Sequence, residues 1–352
     1  MKKVVIAMSG GVDSSVAAAL LKEQGYEVLG MTMRLWQDER QPANTQAEKD
    51  AAKVCEILGI KHQVVDYRDI FKATVVQYFL DEYAAARTPN PCVYCNKKIK
   101  FGELFKSAME AGGDYLSTGH FVRLAQVDNK YYIAKAKCLA KDQSYVLYHL
   151  QQDILAKVMF PLGEFSKDEV REMAKDRNLP VFAKKDSQEI CFIPDNDHHS
   201  FMRCYGRAAD KPGNFVDLQG KVWGRHKGLS HYTIGQRKGL GIAAKEPLFV
   251  LALNAVKNEV VLGFANQAGC TGLTAGDVSF SDGIFRQESF TCQVKIRYNA
   301  KPQEAVVTPE SVTKSATVTF TAPLRGIAPG QAVVFYQGEL CIGGGTILAS
   351  IH

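Results

Sequence analysis

Apolar residues run almost unbroken through residues 3–8, KVVIAM, the length and texture of a strand buried on both faces. The stretch SSVAAALLKEQG that follows has helical composition and closes on Gly25. YEVLGMTMRLW predicts a second strand, TQAEKDAAKVCEILG a second helix with Ala51, Cys55 and Leu58 on one face, and HQVVDY a third strand. A helix in KFGELFKSAMEAGG and a strand in DYLSTGH continue the alternation, and SKDEVREMAKDRNL reads as a further helix. Strand and helix in turn imply a parallel sheet covered on both faces, a doubly wound α/β domain over residues 1–206. Beyond it the pattern shortens to β-prone runs with turn signals: FVLALNAVKNEVVLG, ESFTCQVKIRY, SATVTFTA and QAVVFYQGELCIGG. These predict a small central β-rich domain, 207–270, and a C-terminal antiparallel β-barrel, 271–352.

Composition adds little to this picture, but the distribution of charge adds a good deal. The chain has 352 residues, more than one core usually serves, and a net charge of +6. Residues 201–250 hold nine Lys and Arg against three Asp and Glu, so the whole excess lies in that window. Between Leu218 and Lys245 there is no acidic residue, while Lys221, Arg225, Lys227, Arg237, Lys238 and Lys245 alternate with Trp223, His226, Tyr232 and six glycines. A charge run alone reads as a solvated loop; aromatics and glycines among the cations favour contact with a polyanion such as RNA. Nine cysteines scattered from Cys55 to Cys341 do not form the framework of a small secreted domain, and reduced thiols in a cytoplasm fit better. No apolar run reaches the length of a membrane span. A soluble monomer away from membranes is the expectation.

AMSGGVDSS, from Ala7 to Ser15, joins the first strand to the first helix, where an α/β sheet places anions. Gly10 and Gly11 let the backbone approach phosphate oxygens, and Ser9, Ser14 and Ser15 add hydroxyl donors. No lysine follows the glycines, so this is not the Walker loop. The plainer alternative is a glycine turn capped by serine.

SGGVDSS resembles the signature of the PP-loop ATP pyrophosphatases, which split ATP between its α- and β-phosphates and adenylate a substrate. With RTPNPCVYCNKKIKFG, STGHFVR, KDQSYVLY, KKDSQEICFI and HYTIGQRKGLGI, the resemblance extends over essentially the full chain to the tRNA-specific 2-thiouridylases. That family places sulfur at position 2 of the wobble uridine. The resemblance implies ATP with Mg²⁺, tRNA, and a sulfur-carrier protein or sulfide donor. It implies catalytic roles for Cys95, Cys191 and Asp13: Cys191 receives and delivers sulfur, and Cys95 later forms a disulfide with it or helps release sulfide. The implied ATP contacts are Ala7, Met8, Ser9, Gly10, Gly11, Val12, Asp13, Ser14, Met33 and Gly119. The implied tRNA contacts are Asn90, Pro91, Cys92, His120, Lys141, Asp142, Gln143, Arg297, Tyr298 and Gln331. Flanking Lys97, Lys98, Lys184 and Lys185 are expected to lower the pKa of the two working thiols.

The sequence departs from the commoner family pattern at Cys92, where many members carry Asp, a possible general base. Cys92, Cys95 and Cys191 would supply three ligands to a [4Fe–4S] cluster with one open iron. The competing readings are zinc completed by His198, His199 or Cys204, and a Cys92–Cys95 redox pair without metal. Cys55, Cys138, Cys292 and Cys341 read as small buried hydrophobes, and Cys204 and Cys270 as undecided. Two other functions compete: a PP-loop ligase using ammonia or a small amine, and a non-enzymatic RNA-binding module with a zinc knuckle.

Overall fold

The computed structural model describes residues 1–37, 45–184, 190–193, 197–206 and 211–352. The chain begins with β1 (Lys3–Ala7), α1 (Val12–Glu23), β2 (Glu27–Arg34), α2 (Gln46–Leu58) and β3 (Lys61–Asp66). A continuous helical stretch α3 (68–84) follows, with a wider π-type turn at Lys72–Val76. The next, α4 (91–110), opens at Pro91–Cys95 and widens over Asn96–Leu104. Then come β4 (Tyr115–Ser117), a hairpin of β5 (Val122–Val127) and β6 (Lys130–Lys135), β7 (Val158–Met159), α5 (Lys167–Asp176) and α6 (His198–Tyr205).

Strands β3, β2, β1, β4 and β7 lie side by side in that order, all parallel. Val4, Val5 and Ile6 of β1 are fully buried because helices cover both faces. One face packs Val4 and Ile6 with Val16, Leu21, Ala51 and Val54; the other packs Val5 and Met31 with Leu104 and Leu116. α2 buries Ala51, Val54 and Cys55, close to the face predicted for it.

The central β8 (Gly213–Val216), β9 (Val222–His226), β10 (Phe249–Asn254) and β11 (Glu259–Gly263) form a four-stranded sheet around Phe215, Tyr232, Val250 and Leu262. The remaining strands are β12 (Gly269–Phe280), β13 (Phe290–Lys295), β14 (Gln303–Glu310), β15 (Ser315–Arg325), β16 (Ala332–Gln337) and β17 (Leu340–Ile351). β12 pairs with both β15 and β17, which closes these six into an antiparallel barrel. The three-part α/β, central β and C-terminal barrel architecture expected from the pattern is therefore the one found.

The hairpin is the element that sequence pattern did not anticipate. β6 continues the barrel sheet by pairing with β17, Ala134 opposite Leu340 and Ile133 opposite Cys341. Tyr145, Leu147 and Tyr148 pack beneath this seam against Val334, Tyr336 and Cys341, so the α/β domain and the barrel share one core. No helix among the described residues is long and apolar enough to cross a membrane.

Candidate active site

β1 and β4 are neighbours whose following chains run to different parts of the molecule, the crevice where open α/β sheets bind ligands. The loop after β1 carries the glycines. Gly10 has φ +69°, and a Cβ there would sit 2.2 Å from the Ala47 carbonyl oxygen. Gly11 caps α1 with no side-chain hydrogen bond, leaving first-turn amides of the helix facing the crevice. The Ser9 amide donates to Ser14 Oγ at 3.2 Å, and Ser15 Oγ donates to the Gly11 carbonyl at 2.7 Å. Ala7, Met8 and Val12 support the loop from the core side, Met8 and Val12 being buried. Two lysines that sequence reading did not assign to the loop reach it: Lys167 pairs with Asp13 at 2.5 Å, and Lys184 donates to the Gly10 carbonyl at 2.9 Å.

The loop after β4 closes onto the first. A Cβ on Gly119 would lie 2.8 Å from the Ser14 amide nitrogen and 2.9 Å from the Asp13 carbonyl carbon, so only glycine fits. The next residue, His120, is buried, hydrogen-bonds Thr118 Oγ1 through Nδ1 at 2.7 Å, and lies 6.0 Å from the Phe101 ring of α4. Burial, with Lys100 and His149 nearby, holds its pKa well below the ordinary histidine range, so it is neutral at pH 7. One short segment thus touches both the phosphate loop and the helix that carries the cysteines.

α4 begins cleanly: Asn90 Oδ1 accepts from the Val93 amide at 3.2 Å, with Pro91 at the first helical position. Cys92 is exposed and Cys95 buried on this first turn; Cys191 is exposed on the segment 190–193. Cys95, Phe192 and Phe201 share a cluster whose edge is Met33, at the end of β2. The charges of Cys92 and Cys95 are each felt at Cys191, so the three thiols do meet in one region.

Their acidity is the reverse of the expectation. Burial pushes Cys95 up to about 11 and Cys191 up to about 12, and raises Cys92 as well; Lys100 opposes these shifts and does not overcome them. Solvent reaches Cys92 and Cys191 through a crevice, but protein surrounds them on most sides. Two of the lysines expected to lower the thiol pKa are engaged elsewhere: Lys97 pairs with Asp277 at 2.6 Å and Lys184 with Asp50 at 2.8 Å. Lys98 is exposed, and Lys185 lies outside the described residues. Alkylation of Cys191 in the free protein, followed on its peptide by mass spectrometry, should therefore accelerate about tenfold per pH unit from pH 7 to 9, with no plateau. A plateau near pH 7 would restore the depressed pKa.

Among the described residues no three His, Cys, Asp or Glu side chains converge as ligands for one metal ion. The Cys92, Cys95 and Cys191 set does not stand as a cluster cradle in this structure. Of the zinc alternatives, His198 packs 6.2 Å from the Phe79 ring, Cys204 is exposed, and the His199 side chain lies outside what is described.

The residues expected at tRNA divide into two kinds. Asp142 is buried: Oδ1 accepts from the Ala136 and Ser144 amides and Oδ2 from Ser144 Oγ at 2.7 Å. Gln143 Oε1 accepts from the Phe121 amide at 2.8 Å, and Gln331 Nε2 donates to the Thr88 and Pro89 carbonyls at 2.9 and 3.1 Å, tying the barrel to the turn before Cys92. Arg297 Nη2 donates to the Ile234 carbonyl at 2.5 Å and so holds the glycine-rich basic loop against the barrel. Lys141 is half-buried and Tyr298 is 37% exposed; the charge of Cys92 is felt at the Tyr298 hydroxyl. In the basic window the six cations are all exposed, whereas His226 and Tyr232 are core residues. Arg237 and Lys245 flank an open hollow of about 710 Å³.

The family descriptions that match are "tRNA methyl transferase HUP domain" over residues 2–195, "tRNA methyl transferase PRC-barrel domain" over 200–264 and "Aminomethyltransferase beta-barrel domain" over 270–347. The tRNA-specific 2-thiouridylase MnmA of Carboxydothermus hydrogenoformans is 48% identical, covering 98% of this chain and 97% of its own. The tRNA-specific 2-thiouridylase MnmA 2 of Clostridium tetani is 48% identical over 98% of each. Among solved structures, a 4-thiouridine synthetase in complex with RNA and ATP superposes with a TM-score of 0.37 at 20% identity, over 52% of this chain and 43% of that one. With a phosphate loop and paired thiols in the arrangement above and near-complete identity coverage, the chain belongs to the tRNA-specific 2-thiouridylase family.

Proposed function

We propose that the protein is an ATP-dependent tRNA sulfurtransferase that replaces O2 of the wobble uridine by sulfur. The observation that carries this reading is the segment Thr118–His120, which packs Gly119 on the phosphate loop and His120 beside α4, bringing the nucleotide site and the thiols to one crevice.

ATP would lie with its phosphates on the amides of Gly11, Val12 and Asp13 and its adenine near Met33. The Asp13 carboxylate, at the open side of the loop, would hold Mg²⁺, which neutralises the departing pyrophosphate. O2 of the uridine attacks the α-phosphorus, the bond to the bridging oxygen breaks, and pyrophosphate leaves. The carbonyl oxygen, a poor leaving group, is now part of AMP. Lys167, released from Asp13, is placed to follow the leaving charge.

Sulfur reaches Cys191 as a persulfide from a sulfur-carrier protein, and the exposure of Cys191 suits that encounter. The outer sulfur attacks C2, and buried Cys95 attacks the inner sulfur. The S–S bond breaks with its electron pair remaining on the transferred sulfur, AMP departs, and a Cys95–Cys191 disulfide is left for an external dithiol to reduce. No step is assigned to an iron–sulfur cluster, because the three thiols do not converge as a ligand set. The exposed cations of residues 218–245 would draw the tRNA backbone.

The test is incubation of the protein with tRNA, ATP and a persulfide donor, followed by mass analysis of the nucleosides. The expected result is 2-thiouridine with one AMP and one pyrophosphate per sulfur. An amide or amine product, or none, overturns the reading.

A further inference from the structure

A cleft of about 310 Å³ opens where the β5–β6 hairpin and the loop after it meet the barrel. Lys135, Asp142, Lys295, Tyr298 and Lys301 line it. We infer that this cleft receives one phosphodiester of the RNA, next to the uridine being modified, with Lys295 as its receptor and Lys301 at its rim. This rests on the sulfurtransferase reading above and adds to it the residue that recognises the backbone beside the target.

Lys295 ends β13, half-buried, with Nζ 5.8 Å from the ring centre of Tyr145 and 5.9 Å from that of Tyr298. No carboxylate stands within ion-pair distance of it among the described residues. The one acid lining the cleft, Asp142, has both oxygens committed to Ala136 and Ser144. A cation removed from water without a counter-ion is costly unless an anion arrives to share the site. Burial accordingly lowers the pKa of Lys295, a cost that a bound phosphate reverses. Lys135 is already spent in part, donating to the Gly338 carbonyl at 2.9 Å and lying over the Tyr336 ring. Lys301, by contrast, is exposed.

Position favours a phosphate of the bound RNA over a free anion. Tyr298 forms the wall between the cleft and the thiols: its hydroxyl feels Asp142 on one side and Cys92 on the other. A strand whose uridine enters the thiol crevice must pass its adjoining backbone along this wall, and the exposed face of Tyr298 offers a stacking surface for a neighbouring base. The cleft has room for about one nucleotide unit, at the small end of ligand sites.

The experiment measures binding of a labelled anticodon stem–loop RNA to the full-length protein across a potassium chloride series. Lys295→Met, which keeps length and packing, should weaken binding roughly tenfold and reduce the log–log salt slope by about 0.7. Lys295→Arg should retain most of both. Lys301→Gln, at an exposed rim position, should lower the slope by a smaller step and serves as the readout if Lys295→Met does not fold. The location is tested by neutralising single linkages as methylphosphonates. Neutralising one linkage flanking the wobble uridine should weaken wild-type binding and have no further effect on Lys295→Met. Wild-type affinity and slope in Lys295→Met, or in Lys301→Gln should the first not fold, overturn the proposal, as does full additivity of Lys295→Met with every neutral linkage. Loss of thiolation chemistry in the wild-type protein would instead defeat the sulfurtransferase reading and leave these binding outcomes intact.

Discussion

Cys191→Ser should abolish 2-thiouridine formation, by at least about 10³-fold, while ATP and tRNA still bind within about twofold. The scale follows from removing a nucleophile that no neighbour replaces. Serine preserves the shape of the segment, and neither the phosphate loop nor the basic loop is formed by Cys191. Cys95→Ser should differ in kind. Loading of Cys191 from a persulfide donor should continue, but release should stall, leaving protein that carries extra sulfur in intact-mass spectra. If Cys191→Ser thiolates at the normal rate, Cys191 does not carry sulfur, and the exposed Cys92 becomes the thiol to examine.

Gly119→Val is expected to have a comparable effect on the ATP half of the reaction without touching a reacting atom. Its Cβ would lie 2.8 Å from the Ser14 amide nitrogen and 3.1 Å from the Asp13 Cβ, so the two loops must move apart. A displacement on the order of 1 Å in a positioning element costs about 10²-fold. Pyrophosphate release should fall by that factor or more, while the protein remains folded by thermal denaturation, because the clash is confined to two loop edges. Normal pyrophosphate release would show that the β4 loop does not position the nucleotide.

The parts of this molecule that a reader of the sequence can foresee are those written in adjacent residues. β1, the phosphate loop and α1 occupy 21 consecutive positions, Lys3 to Glu23, and each is announced by an apolar run, paired glycines or helical composition. The barrel strands likewise follow from alternation. α3 was foreseeable too, since Phe71, Val75, Val76, Phe79 and Leu80 recur at helical spacing and all are buried. What escapes is set by partners far along the chain. Lys97, counted as a cation beside Cys95, is paired with Asp277, 180 residues away. Asp142 sits in a polar tripeptide that reads as surface, yet it is a buried acceptor that shapes its own loop. The thiol pKa values were misread for the same reason: neighbouring charges are visible in a sequence, whereas the burial that outweighs them is produced by the tertiary fold.

The pairing of β6 with β17 also governs the order in which the chain becomes self-sufficient. During synthesis the hairpin leaves the ribosome some two hundred residues before its sheet partner, the register joining Ile133 to Cys341. Until then β6 is an open edge, and Tyr145 and Tyr148 lack the barrel residues that complete their packing. The nascent α/β domain is thus a species that the cell must shelter, and its last strand to be made is the one that ends that exposure.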